Sequence, residues 1–455
     1  MSTAQPIDTT DDDRTDDARS DARDHDTHLP PGPRLPALLQ GVAFVARRRQ
    51  TIAALRARYG NAFTIGVPLF GRVVLIADPT MARQLFTTPT DQVNNVRPNL
   101  GRILGDGSVF ALEGTDHRRR RKLLTPPLHG KRIAAYEAIV EEEFENESRT
   151  WPSGTPFATL ESMNRVTLNV ILRTVFGAEG GALDTLREII PPMVTVGSRL
   201  ATIPDIGLSL GRVDPRRQFI AQRATYDAAI ARLIAEARAD DSLDDRGDIL
   251  ALMLQSHYDD GTVMTDSEIA DELLTLLVAG HETTATTLAW AVERLQRNPD
   301  VLAELTAEVD AGGGEFRLAT IMEVQRSRPV IDLAGRHVVA DHVDLGPYRI
   351  PKGCNIFVAI SLLHDDSAQF RDPERFDPNR FLGTPPSAAW LPFGGGTRRC
   401  IGAAFAQMEM DIVLRTLMRD FTIQPTTARG EAWHSRGVAY APRRGGMVTV
   451  RRRTA

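Results

Sequence analysis

Cysteine is nearly absent from this chain. Cys354 and Cys400 are the only two among 455 residues, and their wide separation rules out a disulfide framework or a CxxC metal knuckle. Long apolar runs are missing as well. Nothing approaches the roughly 20 consecutive apolar residues needed to cross a bilayer, and no apolar leader opens the chain. A basic excess is lacking too: 54 Lys and Arg face 59 Asp and Glu, for a net charge of -5, which argues against nucleic acid as the main partner. The first residues have little to bury. Residues 1–28, with "TTDDDRTDDARSDARDHD", are read as a disordered acidic tail. The expectation is a cytoplasmic protein without a membrane anchor, in which residues 29–455 form a single domain.

Order is expected from "LPPGPRLP" (29–36) onward. A helix ends near Tyr59-Gly60, and "AFTIGVPLFGRVVLIADP" reads as two β-branched strands joined by a turn. Helical period then dominates to about residue 330. In "LESMNRVTLNVILRTVFG", Met163, Val166, Val170 and the run from Leu172 to Phe176 form an apolar stripe that Gly177 stops. Residues 337–361 alternate and carry turns at Gly346-Pro347 and Pro351-Lys352-Gly353, a β pattern. A proline-punctuated loop follows, then a helix over 402–418, then a hairpin around Arg443 to Gly446. The fold class is mainly α with a minor β portion.

The strongest chemical signal is "LPFGGGTRRCIGAAFAQMEM". Phe393, Gly396, Cys400 and Gly402 fit F-x-x-G-x-x-x-C-x-G, followed at once by an apolar helix. A cysteine entering a helix N-terminus meets free N–H donors and the positive end of the macrodipole, which favour thiolate. Glycines let the backbone approach a flat cofactor, Phe393 can screen the sulfur from water, and Arg398 is suited to a carboxylate. A thiolate bound to haem iron pushes electron density onto the metal. The plainer reading is a glycine-rich turn with an inert core cysteine, as Cys354 is read to be.

This segment resembles the haem-binding loop of the cytochrome P450 family, and other segments fall in the family's order. "AGHETT" resembles the family's segment over the distal haem face. The resemblance implies that Ala279 and Gly280 leave room for dioxygen, that Thr283 hydrogen-bonds the reacting oxygen, and that Glu282 relays protons. "HETTA" is no H-E-x-x-H zinc motif, because Ala285 stands where the second histidine is needed. Glu323 and Arg326, three apart, match a buried E-x-x-R pair, which Arg380 of "FDPNRF" joins in preference to Arg375 of "PERF". In "EGTDHRRRRKLL", His117 and Arg121 share one helix face and match a haem-propionate pair. Arg336 matches a further propionate arginine. Arg118, Arg119 and Lys122 are left to form a basic patch suited to an acidic electron-transfer partner.

The resemblance, strongest to soluble actinobacterial members, covers roughly residues 36–450. It implies haem b between a long distal helix and the loop of Cys400. It also implies insertion of one oxygen atom from O2 into a hydrophobic small molecule. No dinucleotide fingerprint or iron–sulfur cysteines appear, so electrons from NAD(P)H are expected through a separate ferredoxin or flavodoxin and its reductase. A monomer is expected. A peroxide-driven peroxygenase and a haem-binding sensor are the alternatives, and neither needs the Glu282–Thr283 pair. Candidate substrate contacts are Pro98–Phe110, residues 191–210, Leu276 and Ala279, Val330–Leu333 and Gly437–Ala439, mostly apolar.

Overall fold

The structure is a computed structural model that describes residues 28–68, 70–96, 100–177, 181–202 and 215–454. Most of the expected acidic tail therefore lies outside the described residues, as do 98–99 and 203–210 of the candidate substrate contacts.

Six helices position the site: α1 (Gly114–Leu124), α2 (Thr159–Phe176), α3 (Gly181–Thr202), α4 (Asp266–Leu295), α5 (Glu315–Ser327) and α6 (Ala403–Asp420). At 30 residues, α4 runs through the body of the molecule and is buried along most of its length. Its start is fixed by a capping box in which Thr265 accepts from the Glu268 N–H at 3.2 Å while Glu268 accepts from the Thr265 N–H at 2.8 Å. Its most extensive contact is with α2. The stripe foreseen on α2 is buried, and Gly177 ends that helix at φ 63°, in the left-handed region.

The β portion has a five-stranded sheet built from β1 (Ala62–Val67), β2 (Gly71–Ile76), β3 (Val93–Asn95), β4 (Leu333–Val338) and β5 (Asn355–Ala359). The order is β1-β2-β5-β4-β3, with β2 and β5 parallel and the other neighbours antiparallel. Along β2, Val73 and Leu75 enter one apolar cluster while Val74 and Ile76 enter another. Both faces of this strand are therefore covered, which suits a continuous β-branched run. The later β segment begins at Leu333, earlier than residue 337, and this places Arg336 inside a strand.

The expected hairpin around Arg443–Gly446 is not formed. The hairpin lies one turn earlier, between β6 (Trp433–Ser435) and β7 (Tyr440–Pro442). Met447 and Val448 instead pair with Phe157 and Ala158. The turn signal at Gly445-Gly446 was real, but distant partners set the pairing. Among the described residues, no helix is long and apolar enough to cross a membrane.

Because the capping box fixes the entry to α4, Thr265→Ala should cost about 1 kcal/mol of stability. Equilibrium urea unfolding measures this, and an unchanged midpoint would contradict it.

Candidate active site

The segment carrying Cys400 is a tight loop leading into α6. The Cys400 N–H donates to the Phe393 carbonyl at 2.9 Å and the Gly394 N–H to Leu391 at 3.0 Å. A short 3-10 turn covers Gly396–Arg398, and Gly394 and Gly396 both sit at φ 65°. These glycines have a packing reason beside the one expected. A Cβ on Gly396 would lie 2.0 Å from the Phe86 carbonyl, and one on Gly395 would lie 2.3 Å from the Phe86 ring. Close packing on the helix Pro79–Thr87 demands them. Gly402, by contrast, faces open space.

Cys400 is set deep among protein atoms yet retains accessible area, so it lines an internal space. Burial raises its thiol pKa, opposed by the Gly402 N–H and by Arg121 and Arg399. The expected helix-terminus effect is present but does not win. A thiolate here needs a cation to offset its desolvation, and a bound iron is such a cation. Cys354 is buried and its thiol is likewise raised by desolvation, in keeping with a packing role.

Four cationic or potentially cationic groups gather on one side of the loop. His117 is buried, and burial followed by the charges of Arg398, Arg121 and Arg336 lowers its pKa to about 3. Burial lowers Arg336 and Arg398 to about 10 and also lowers Arg121. Arg398 donates to the carbonyls of Val109 and Leu112 at 2.9 and 2.5 Å. Arg336 donates to Gly335 and Gly395, both at 2.8 Å. Among the described residues none of these three arginines forms a salt bridge with a carboxylate. Concentrating buried positive charge in this way is costly unless an anion shares the space. The two propionates of a haem are such an anion.

The middle of α4 has the complementary feature. In the middle of this helix, between buried stretches, Ala279 is exposed, and Val278, Gly280 and Thr283 are half-buried. Thr283 donates to the Ala279 carbonyl at 2.8 Å and Thr284 to Gly280 at 3.2 Å. The back-bonding that is the ordinary use of helical threonines is thus present. It ties up the Thr283 proton and leaves the oxygen lone pairs as acceptors. Thr167 of α2 donates to the His281 carbonyl at 3.0 Å, and the neutral His281 ring donates Nδ1–H to Leu277 at 2.6 Å. Glu282 Oε1 accepts from Arg436 Nε at 2.6 Å.

The Cys400 loop is tied to the core through α5. Arg326 and Glu323 pair bidentately at 2.7 Å, both fully buried. Arg380 Nε stands 3.2 Å from Glu323 Oε2, whereas Arg375 contributes only its carbonyl; the preference for Arg380 was correct. Arg326 also donates to the His364 carbonyl at 2.9 Å. The His364 ring donates from Nδ1 to the Arg326 carbonyl at 3.1 Å, and its Nε2 accepts from the Leu391 N–H at 3.0 Å. This fixes the neutral tautomer, and burial lowers its pKa to about 3.

The arginine run of α1 divides differently from expectation. Arg119 pairs with Asp260 at 2.5 Å and Lys122 with Asp259 at 2.6 Å. Arg118 bonds Thr90 and Thr115. The anticipated basic patch is therefore largely neutralised by the turn at 259–260, acids too far along the chain for helical spacing to reveal. Arg120, given no role by the sequence, is buried against Glu272, Glu268 and the Tyr258 hydroxyl. Glu409 was missed as well. It is fully buried on α6, both carboxyl oxygens lack a hydrogen-bond partner, and the Thr284 hydroxyl is its polar neighbour. A signal was available, since Glu409 lies four residues from both Phe405 and Val413, in the apolar stripe.

A mainly helical enzyme with a cysteine loop at a helix entry and a polar break over an inner space is the class these features define. The cytochrome P450 family profile matches residues 30–443. Cytochrome P450 138 of Mycobacterium tuberculosis is 55% identical over 426 residues, covering 93% of this chain and 97% of its own. Cytochrome P450 135B1 of the same species is 39% identical, covering 93% and 91%. The crystal structure of the cytochrome P450DA heme domain aligns with TM-score 0.83 at 22% identity, over 94% of this chain and 98% of its own. Cyanobacterial CYP120A1 with retinoic acid bound aligns with TM-score 0.81 at 22% identity, over 94% and 100%. The chain belongs to the cytochrome P450 family and is a haem-thiolate monooxygenase.

Two expectations follow. Glu323→Gln leaves two buried guanidiniums against a neutral amide and should cost about 3–5 kcal/mol, read by urea unfolding together with a lower haem content. Glu409 stays protonated in the fold because burial holds its pKa well above the ordinary glutamate value, while the unfolded chain ionises. Its stabilising contribution is thus complete at low pH and is lost as pH rises. Glu409→Gln should gain on the parent by up to about 1.4 kcal/mol per pH unit above the ordinary glutamate range. A pH-independent difference between the two unfolding curves would refute this.

Proposed function

We propose that this enzyme inserts one oxygen atom of O2 into a hydrophobic small molecule, the second leaving as water. Two electrons would come from NAD(P)H through a separate ferredoxin or flavodoxin and its reductase. The observation that carries the reading is the joint presence of Cys400 on an inner space, a cation cluster whose arginines form no salt bridge among the described residues, and an accessible polar break in α4. Bound haem supplies the oxygen chemistry, and the chain supplies ligand, orientation and protons.

In this reading the Cys400 sulfur would ligate the iron, with the Gly402 N–H beside it and Phe393 to screen it from water. His117, Arg121, Arg336 and Arg398 hold the propionates, and Gly396 shapes the loop. Ala279 and Gly280, having almost no side chain, would leave room for the bound group and dioxygen. Glu282 takes protons from solvent and Thr283 hands them inward, a role that neither a peroxygenase nor a sensor requires. Leu276, Val330 and the half-buried Ile331 and Leu333 are apolar, which favours a hydrophobic substrate. Residues 29–455 act as one catalytic domain, monomeric and cytoplasmic, with 1–28 as an acidic tail.

Cys400→Ser tests the centre of this reading. The variant should fold but lose the thiolate-type absorption of its reduced carbon monoxide complex, and survival of that band would mean another ligand. A Soret-shift screen of lipids, sterols, terpenes and polyketides identifies the substrate class.

A further inference from the structure

Glu282 is not left to itself on α4. Its carboxylate, on a side chain 9% exposed, is gripped at 2.6 Å by Arg436, whose own side chain is 31% exposed. Arg436 stands at the tip of the β6–β7 hairpin, where its N–H donates to the Ala439 carbonyl at 2.9 Å. The hairpin is anchored on several sides. Tyr440 N–H donates to Val330 at 2.9 Å, and Trp290 Nε1 of α4 donates to the Tyr440 carbonyl at 3.1 Å. At the tip, the Val438 N–H donates to Ser198 Oγ of α3 at 3.1 Å. Gly437, at φ 105°, sits so close that a Cβ would meet the Ser198 carbonyl at 2.5 Å. The hairpin backbone that carries Arg436 is therefore fixed by α3, by α4 and by the Val330 segment, and it brings the guanidinium to the Glu282 carboxylate.

Exposure falls from Arg436 to Glu282, and the next residue, Thr283, borders the inner space. A carboxyl that passes protons inward must be recharged from water, and Arg436 marks the edge where water reaches it. We propose that Arg436 is a positioning residue for proton delivery, holding the Glu282 carboxylate at the solvent edge between successive transfers to Thr283. This rests on the monooxygenase reading above. The proton moves from the Glu282 carboxyl to the Thr283 oxygen as the Thr283 hydroxyl turns from the Ala279 carbonyl and its own proton passes inward, and Glu282 regains a proton from water. No electrons are exchanged with either side chain. The contact is one Nε–Oε1 bond, and the planar guanidinium gives it a fixed direction that a flexible ammonium would not.

The test uses the haem-loaded enzyme with a surrogate ferredoxin, its reductase and NADPH. No substrate is added, so each O2 takes two electrons and two protons to give hydrogen peroxide. Arg436→Ala should slow oxygen consumption about a hundredfold, the low end of the range for a positioned proton-transfer group, and should enlarge the solvent deuterium isotope effect. Arg436→Lys should recover part of the rate. Glu282→Gln should lose about as much, and the double variant no more than either single one. Amide exchange in the haem-free chain is the second readout. Protection of 436–439 should fall equally in the two single variants and no further in the double. The proposal is overturned by additive losses, by an unchanged rate and isotope effect in Arg436→Ala, or by loss of protection over all of 433–442 without recovery in the lysine variant. The carbon monoxide spectrum of the Cys400 test is independent of all these outcomes, so failure of either idea is told apart from failure of the other.

Discussion

The buried ion cluster of Glu323, Arg326 and Arg380 sets where everything proximal can be. Two guanidiniums and one carboxylate out of water are tolerable only when every remaining donor finds an acceptor. Here the spare donors reach the carbonyls of His364 and Pro373 from Arg326, and those of Arg371, Asp372 and Arg375 from Arg380. The cluster therefore specifies the path of the backbone through 364–380 as well as the helix it stands on. His364 carries that specification onward, since its neutral ring joins the Arg326 carbonyl to the Leu391 N–H at the root of the Cys400 loop. Trp390 adds a second tie, donating to the Met322 carbonyl at 3.2 Å. A metal ligand borne on a glycine-rich loop gains its rigidity from this chain of bonds rather than from the loop itself.

Electrostatics on the two sides of the inner space are opposite in kind. On the cysteine side, arginines gather without a salt bridge among the described residues, and burial, with their charges second, keeps the imidazole of His117 neutral. On the α4 side, the Glu282 carboxylate is matched by the Arg436 guanidinium. The first arrangement attracts and orients a permanent anion; the second keeps a mobile proton carrier in reach of solvent. Both are built from arginines, but the first set is tied to backbone carbonyls and the other to an acid.

The parts of the site that were legible in sequence are those coded by local spacing. Cys400 with Phe393, Gly396 and Gly402, the Glu323–Arg326 pair, and His117 with Arg121 all lie within one turn or one loop, so their juxtaposition follows from helix and turn geometry. Arg380 was legible through its place relative to the loop. What stayed hidden depends on contacts between remote segments. Asp259 and Asp260 neutralise the α1 cations, Ser198 receives the hairpin tip, and Arg436 meets Glu282; no periodicity announces any of these. The hairpin itself was misplaced because turn residues mark where the chain bends, and not what the flanking strands pair with. Glu409 falls between the two cases. Its position in an apolar stripe could be read, yet a lone acid there looks like an error until burial is known.

The glycines before Cys400 were read as clearance for a planar ring, and two of them prove to be clearance for Phe86. That changes what such a signature records. It is the imprint of a neighbouring helix pressed into the loop as much as the outline of the group the loop receives. Any loosening of that helix would widen the choice of residues at Gly395, while leaving the sulfur's own environment to Gly402 and the arginines. The fingerprint by which this loop is recognised thus belongs jointly to two distant stretches of chain, and only one of them carries the ligand.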